Sequence, residues 1–296
     1  MRTRCTVKAG LYSFGLIGAG LIVAALVVGA GHTRSMPLRR STDAPNETTQ
    51  PAEARGVPAF DEEFDGSELD PLRWNRCHWW GASGCTISGN NELEWYTPDQ
   101  VELAHGTLRL GAVRRPIVGS DGTTYAYRSG MVTTGRNSSD RRSKPKFAFL
   151  FGYLEARVRV PKGDGLWPAL WLLPPTNRSR PEVDVFEIRG SQTSTLSMHV
   201  HATNSEGERI SLGEHWTGQD LAVGWHTFGL DWRAGSMTWF VDGVQAWQVT
   251  GEMVPSEPLY MVANLAVGGD WPGPPTPETR FPATFEIDYV RVWPGQ

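Results

Sequence analysis

Residues 182–187, with the sequence EVDVFE, place three acidic residues in a segment that otherwise has the pattern of a buried β-strand. Side chains of a strand alternate between its two faces, so Glu182 and Asp184 share one face. Glu187 departs from this alternation by one residue. A β-bulge at residues 185–186 would insert one extra residue and return Glu187 to the face of the other two acids. The segment therefore predicts three carboxyl groups in one cleft.

Two carboxyl groups that face one bond are what hydrolysis of a glycosidic bond requires, one as nucleophile and one as acid and then base. The longer Glu side chains can converge to the roughly 5–5.5 Å of a retaining pair, with Asp184 between them. Crowding of like charges raises the pKa of at least one carboxyl group. We assign Glu182 as nucleophile, Asp184 as its modulator and Glu187 as acid/base. Spacing alone leaves open a structural calcium site or a solvated edge strand.

A tryptophan-rich strand precedes the acids, at residues 165–173 (GLWPALWLL). Alternation puts Trp167, Ala169 and Trp171 on one face and leucines on the other. Sugars present flat C–H surfaces that stack on aromatic rings. Because the chain carries 13 Trp, several must lie outside a core, and we expect at least one of these two to line the cleft. The alternative is that both belong to the core.

The segment GLWPALW followed by EVDVFE resembles glycoside hydrolase family 16, specifically its laminarinase-like branch with a bulged Glu-x-Asp-x-x-Glu strand. Residues 89–97 (GNNELEWYT) are similar to the family's early cleft segment. Four later segments resemble the family's later strands: residues 225–232, 239–243, 264–271 and 287–292. The resemblance covers about residues 59–296.

The resemblance implies an all-β fold, a concanavalin A-like β-jelly-roll sandwich of two antiparallel sheets with a substrate cleft on its concave face. It also implies a retaining, endo-acting β-glucanase, with 1,3-β-glucan of the laminarin type as the expected chain. The roles assigned to Glu182, Asp184 and Glu187 carry over position by position. The alternatives are hydrolysis of mixed-linkage glucan or sulfated galactan, and a β-glucan-binding protein without activity. Cationic residues within 136–146 would suit sulfate, but are typical of a solvated loop.

Further substrate-binding side chains are implied by the resemblance: Asn91, Trp167, Trp171, Asn264 and Trp271. The family also has a cleft histidine near residues 197–201 (SMHVH). This strand alternates polar and apolar residues, so His199 and His201 share one face. The sequence does not decide which of the two lies in the cleft, and a surface imidazole is the alternative for either.

Composition agrees with a single all-β domain that acts on a neutral polysaccharide. Short apolar runs at residues 107–113, 147–160 and 285–293 alternate with Gly and Pro, as in a sandwich. Asp242-Gly243 predicts a hairpin turn. The net charge is only −4, which gives no indication of nucleic acid as a partner. We expect a monomer that requires no cofactor.

The N-terminus has the pattern of a targeting segment. Basic residues precede an uncharged apolar run at residues 11–31, so residues 1–31 predict a signal peptide or, at roughly 20 apolar residues, a membrane anchor. Residues 32–58 are polar and predict a flexible linker, and residues 59–296 form the glycoside hydrolase domain. The expected location is outside the cytoplasm, either secreted or at the cell envelope, with membrane attachment through residues 11–31 if the segment is retained.

Cysteine usage fits export. Cys77 and Cys85 are close enough in sequence to close a disulfide loop, with two reduced thiols as the alternative. Two Cys and scattered His give no four-ligand zinc spacing. Proteins similar to this family carry a structural calcium ion, and Glu62 and Asp288 are the candidate carboxylates.

Overall fold

The structure, a computed structural model, describes residues 55–77, 85–137, 140, 142–176 and 178–295. The predicted signal peptide or anchor at residues 1–31, and residues 32–54 of the predicted linker, lie outside the described residues. Within the described ranges, the structure contains no helix with the length and apolar character needed to span a bilayer.

The described residues form strands joined by turns. The strands are, in chain order, β1 Phe60–Glu62, β2 Glu94–Tyr96, β3 Val101–Ala104, β4 Thr107–Val113, β5 Ile117–Val118, β6 Thr124–Tyr125, β7 Tyr127–Ser129, β8 Met131–Thr133, β9 Gly152–Arg159, β10 Leu166–Leu173, β11 Glu182–Glu187, β12 Thr195–Thr203, β13 Arg209–Thr217, β14 His226–Arg233, β15 Ser236–Val241, β16 Val244–Thr250, β17 Tyr260–Val267 and β18 Ala283–Pro294. Short 3₁₀ helices lie at Ser88–Asn90 and Pro98–Gln100.

Two large sheets account for most of these strands. In the described part of the chain, a ten-stranded sheet has the order β16-β15-β14-β9-β18-β4-β7-β2, with β1 added to β18 and β3 to β4. A six-stranded sheet has the order β13-β12-β11-β10-β17-β8, and β5 and β6 form a separate hairpin. Within the large sheets, β2 and β7 pair in parallel, and the other pairs of described strands are antiparallel. The all-β sandwich that the sequence predicts is confirmed.

The core lies between the two sheets and explains which face of the six-stranded sheet remains open. Leu166, Leu170 and Leu172 of β10 are buried in this core. Phe186 of β11 packs against Phe228 of the opposite sheet, with ring centroids 4.5 Å apart. Strand alternation therefore directs the other face of β10 and β11 away from the core, and that face carries the polar and aromatic side chains of the site.

The predicted bulge in β11 is present. Asp184 pairs with His199 and Glu187 pairs with Ser197, so three steps along β11 match two steps along β12. Val185 and the residue after it are both buried in the core. Across the sandwich, Trp239 donates a hydrogen bond of 3.0 Å from its indole Nε1 to the backbone carbonyl of Asp184. The extra residue thus returns Glu187 to the open face, as the sequence predicts.

Two local predictions are also confirmed. Cys77 and Cys85 form a disulfide, with Cα atoms 5.3 Å apart. Asp242 and Gly243 connect β15 to β16 with φ angles of 49° and 77°. Positive φ at both central residues is what a two-residue type I′ hairpin turn needs, and Asp-Gly is a favoured pair for it.

Candidate active site

A cavity of about 660 Å³ lies on the open face of the six-stranded sheet. Nearly all of the predicted site residues line it: Trp167, Trp171, Glu182, Asp184, Glu187, His199, His201, Asn264 and Trp271. The fold thus brings residues from β10, β11, β12 and β17, and from the segment after β17, to one place. Asn91 is the predicted site residue that the structure does not bring to the cavity wall.

The three acids and the two histidines form one cluster. The Nδ1 atom of His199 lies 3.2 Å from Oε2 of Glu187 and 3.9 Å from Oδ2 of Asp184. The Nε2 atom of His201 lies 3.2 Å from the same Asp184 oxygen and 3.8 Å from Oε1 of Glu182. Both imidazoles therefore lie in the cavity, and each contacts two of the carboxyl groups.

Burial and crowding raise the pKa values of two of these acids. Burial, together with repulsion from Asp184, raises the pKa of Glu182 to about 8. Burial and the charge of Glu187 raise the pKa of Asp184 well above its ordinary value. The sequence predicts a raised pKa on at least one carboxyl group, and the structure gives one for Glu182 and for Asp184.

The two tryptophans of β10 differ in their surroundings. Trp171 is only 7% exposed, and its Nε1 donates a hydrogen bond of 2.8 Å to Oδ1 of Asn264. Trp167 is half-buried, and its ring packs edge-to-face against Trp271 with centroids 5.1 Å apart. Both rings line the cavity, but Trp171 is also part of a buried cluster that contains Tyr96.

Comparison with known proteins identifies the family. The family model of glycosyl hydrolases family 16 matches residues 95–291, which is more than half of the chain. The chain belongs to glycosyl hydrolases family 16. The two-sheet sandwich is accordingly the jelly roll of that family.

Two curated family 16 relatives show how far the similarity extends. Over 248 residues the chain is 31% identical to endo-1,3-1,4-beta-glycanase EglC of Rhizobium meliloti, covering 79% of this chain and 51% of that protein. Over 276 residues it is 32% identical to glucan endo-1,3-beta-glucosidase A1 of Niallia circulans, covering 84% and 39%. The chain therefore spans about half or less of the length of these two relatives.

Solved structures match over nearly their whole length. The endo-beta-1,3-glucanase from Pyrococcus furiosus is 33% identical with a TM-score of 0.69, covering 79% of this chain and 93% of that one. The laminarinase catalytic domain from Thermotoga maritima MSB8 is 31% identical with a TM-score of 0.69, covering 81% and 98%.

Asn91 lies beside the family 16 cavity rather than in its wall. Its side-chain Nδ2 donates hydrogen bonds of 3.1 and 3.0 Å to the two carboxylate oxygens of Asp270. Its neighbours Asn90 and Glu92 line the cavity instead. The left-handed backbone at Asn91, with φ of 54°, ends the 3₁₀ helix and directs the neighbouring side chains. A substrate contact by Asn91 stays a prediction.

A polar network behind the cavity was missed by the sequence reasoning. Tyr96 donates a hydrogen bond of 3.0 Å to Oε2 of Glu92 and accepts one of 2.9 Å from Nδ2 of Asn264. Asn264 accepts in turn from Trp171, so the network joins Glu92 to the aromatic wall. The signal was available in the sequence, because Glu92, Glu94 and Tyr96 alternate in a segment with strand character, as Glu182 and Asp184 do.

Glu94 is fully buried next to this network. Its Oε2 accepts a hydrogen bond of 2.8 Å from the backbone N–H of Val267, and its Oε1 has no protein donor within the described part of the chain. Burial and the nearby charge of Glu92 raise the pKa of Glu94 well above its ordinary value. Burial likewise raises the pKa of Glu92. Both shifts favour the protonated, uncharged form of these buried carboxyl groups.

The candidate calcium residues are both engaged by protein donors. Glu62 accepts hydrogen bonds of 3.2 Å from the backbone N–H of Phe64 and 3.1 Å from Nε1 of Trp74. Asp288 pairs with Nη1 of Arg157 at 2.5 Å. Calcium binding by Glu62 and Asp288 stays a prediction.

We expect Trp171→Ala to destabilise the protein by about 3–5 kcal/mol, since it removes a buried ring and leaves Asn264 without its donor. Trp167→Ala should cost clearly less, because its ring is half-buried at the cavity wall. Urea unfolding of both variants beside the wild type measures the difference. Equal losses would show that Trp167 is as much a core residue as Trp171.

We expect Glu94→Gln to flatten the fall of stability with pH. The folded pKa of Glu94 is raised, so the folded state binds more protons and stability decreases as pH rises above the unfolded value of about 4.3. Gln imitates the protonated acid and removes that loss. Melting temperatures from pH 4 to 8 should therefore converge at the acid end, with the variant the more stable at pH 8. The exposed Glu102→Gln is the matched control, and parallel curves for Glu94→Gln and wild type would contradict the assignment.

Proposed function

We propose that this chain is a retaining, endo-acting hydrolase of β-glucan, with 1,3-β-glucan of the laminarin type as its substrate. The observation that carries the proposal is the bulged strand β11, which presents Glu182, Asp184 and Glu187 together in an aromatic-walled cavity. A protein that only binds β-glucan would not require three carboxyl groups crowded together in a partly buried position. Such crowding costs stability and is typical of catalytic sites.

In this mechanism Glu182 attacks the anomeric carbon while Glu187 protonates the departing glycosidic oxygen, which leaves a covalent glycosyl-enzyme. Water then attacks the same carbon, Glu187 takes its proton, and Glu182 leaves as a carboxylate. His199 lies within 3.2 Å of Glu187 and is placed to orient that carboxyl group in both steps.

The proton of the free cluster must move before the bond is cut. Attack requires Glu182 as an anion, whereas its pKa in the free protein is raised to about 8. Asp184 lies between the two glutamates in the cluster, and the charge of Glu187 is one cause of its raised pKa. We propose that, as sugar fills the cavity, Glu182 gives its proton to Asp184 while Asp184 gives one to Glu187, so that Glu182 becomes the anion and Glu187 the acid. His201 is within reach of both Glu182 and Asp184 and would stabilise the resulting anion.

The substrate proposal rests on the relatives and on the cavity wall. Proteins named for endo-1,3-β-glucanase activity are similar to this chain across most of its length. Trp167, Trp171 and Trp271 offer stacking surfaces for a neutral sugar chain. Mixed-linkage glucan is the second candidate, since a relative is named as an endo-1,3-1,4-β-glycanase.

An acidic or sulfated chain is the third candidate, because Arg180 and Arg209 also line the cavity. The Nε of Arg180 is buried without an acceptor within the described part of the chain. These two arginines of the cavity wall are groups that would meet a charged substituent.

We further propose that the protein works outside the cytoplasm as a monomer. The disulfide between Cys77 and Cys85 supports this location, since such bonds persist in oxidising compartments. An apolar segment at residues 11–31 would direct export or hold the protein at a membrane.

We expect Glu182→Gln and Glu187→Gln each to lower the rate by at least about 10²-fold while leaving the melting temperature intact, because each removes one half of the chemistry. Azide should restore part of the activity of Glu182→Ala by forming a glycosyl azide of inverted configuration. The exposed Glu102→Gln is the control and should turn over normally. Near-normal rates in the two Gln variants would end the assignment.

Chromatography of the products from laminarin, mixed-linkage glucan, agarose and carrageenan separates the substrate candidates. A series of oligosaccharides from laminarin is the expected result. Turnover limited to the galactans would leave the mechanism standing and overturn the substrate proposal.

A further inference from the structure

Asp184, His199 and His201 direct three metal-ligating atoms at one point of the cavity. One potential ligand atom from each residue lies within 4.8 Å of those from the other two. Oδ2 of Asp184 is 3.2 Å from Nε2 of His201 and 3.9 Å from Nδ1 of His199. The residues come from two paired strands, so the backbone ladder of β11 and β12 fixes their spacing.

This geometry is near that of a zinc site. Zn–N and Zn–O bonds of about 2.0–2.2 Å place tetrahedral ligand atoms roughly 3.3 Å apart. The distances of 3.2 and 3.9 Å from Oδ2 of Asp184 to the two imidazole nitrogens lie on either side of this value. Two imidazole nitrogens and one carboxylate oxygen suit Zn²⁺, whereas Ca²⁺ and Mg²⁺ prefer oxygen ligands throughout. Oε2 of Glu187, 3.2 Å from Nδ1 of His199, is placed to serve as a fourth ligand.

The surroundings of the two imidazoles are also compatible with metal binding. Nδ1 of His201 lies 2.6 Å from the hydroxyl of Ser211. A hydroxyl can donate or accept, so Ser211 can accept from Nδ1–H and leave Nε2 free to bind a metal. Gly213 lies opposite His199 on β13, and a Cβ atom there would overlap the His199 ring. The absence of that Cβ lets the ring lie over β13 with its Nδ1 at the acids.

We propose that Asp184, His199 and His201 form a Zn²⁺ site through which zinc reversibly inhibits the enzyme. The inhibitory consequence rests on the proposed function, whereas zinc binding does not. An ion at this point would lie among Glu182, Asp184 and Glu187, where the glycosidic bond must lie for cleavage. Its positive charge would also relieve the repulsion among the three carboxyl groups, which favours binding to the free protein.

The test is isothermal titration of ZnCl₂ into the tag-free full chain near pH 7. We expect one zinc ion per chain. His199→Gln and His201→Gln should each weaken zinc binding by at least about tenfold. Removing a metal ligand should lower the affinity at least as much as removing a residue that hydrogen-bonds to a ligand. The control His105→Asn should bind as wild type, because His105 is exposed in the turn between β3 and β4 and Asn tolerates its left-handed backbone. CaCl₂ and MgCl₂ should give no comparable heat.

Two further measurements keep the inference falsifiable. Ser211→Ala, an exposed change on the edge strand β13, should weaken zinc binding even if the histidine variants fold poorly. With laminarin as substrate, zinc should raise KM without lowering kcat.

The outcomes separate the two proposals. No zinc binding, or equal affinity in wild type and all three site variants, would overturn the zinc site and leave the proposed function standing. Intact, variant-sensitive zinc binding in a protein that hydrolyses none of the polysaccharides would overturn the proposed function alone. Inhibition that lowers kcat with KM unchanged would overturn the proposal that zinc binds where the glycosidic bond of the substrate lies.

Discussion

The arrangement of the site depends on one extra residue in β11. Without the bulge, regular alternation would direct Glu187 into the core between the sheets, where an unpaired carboxylate costs several kcal/mol. With it, Val185 and Phe186 are both buried and Glu187 returns to the face of Glu182 and Asp184. The opposite sheet supports this backbone, since the Trp239 indole bonds the Asp184 carbonyl. The core thereby fixes the arrangement of the three acids on which the proposed mechanism depends.

The positions of Glu182 and Asp184 on this face explain why their pKa values are raised. Carboxyl groups at Glu182 and Asp184 are held close together in a partly desolvated cavity, and Glu92 and Glu94 form a second buried pair behind it. Each pair opposes full ionisation. For the first pair, the raised pKa values favour a bound proton, which the proposed acid/base chemistry would use. The second pair ties Tyr96 and the aromatic wall to a fixed hydrogen-bond network, at the expense of stability at high pH.

Much of this was predictable from the sequence because it depends on short-range periodicity. The acids of residues 182–187, the alternation of Trp167 and Trp171 against leucines, the Asp-Gly turn and the disulfide all follow from spacing along one strand or loop. The two-sheet fold follows from the same pattern of short apolar runs.

Contacts between strands were less accessible to sequence reasoning. The contacts of Asp184 with His199 and His201 depend on the register of β11 with β12, which linear spacing does not reveal. The backbone of Asn91 is left-handed, and as a result Asn90 rather than Asn91 lines the cavity. The environment of Glu94 depends on a hydrogen bond from the backbone N–H of Val267, which is distant from Glu94 in the sequence.

In the proposed mechanism, Glu182 and Glu187 act on one bond from the same face, too close together for a water molecule to attack directly between them. Proton NMR of laminarin during the first minutes of digestion tests this most directly. We expect the β-anomer of the new reducing ends to appear first and the α-anomer to grow only by mutarotation. The α-anomer appearing first would contradict retention and, with it, the role assigned to the bulged strand.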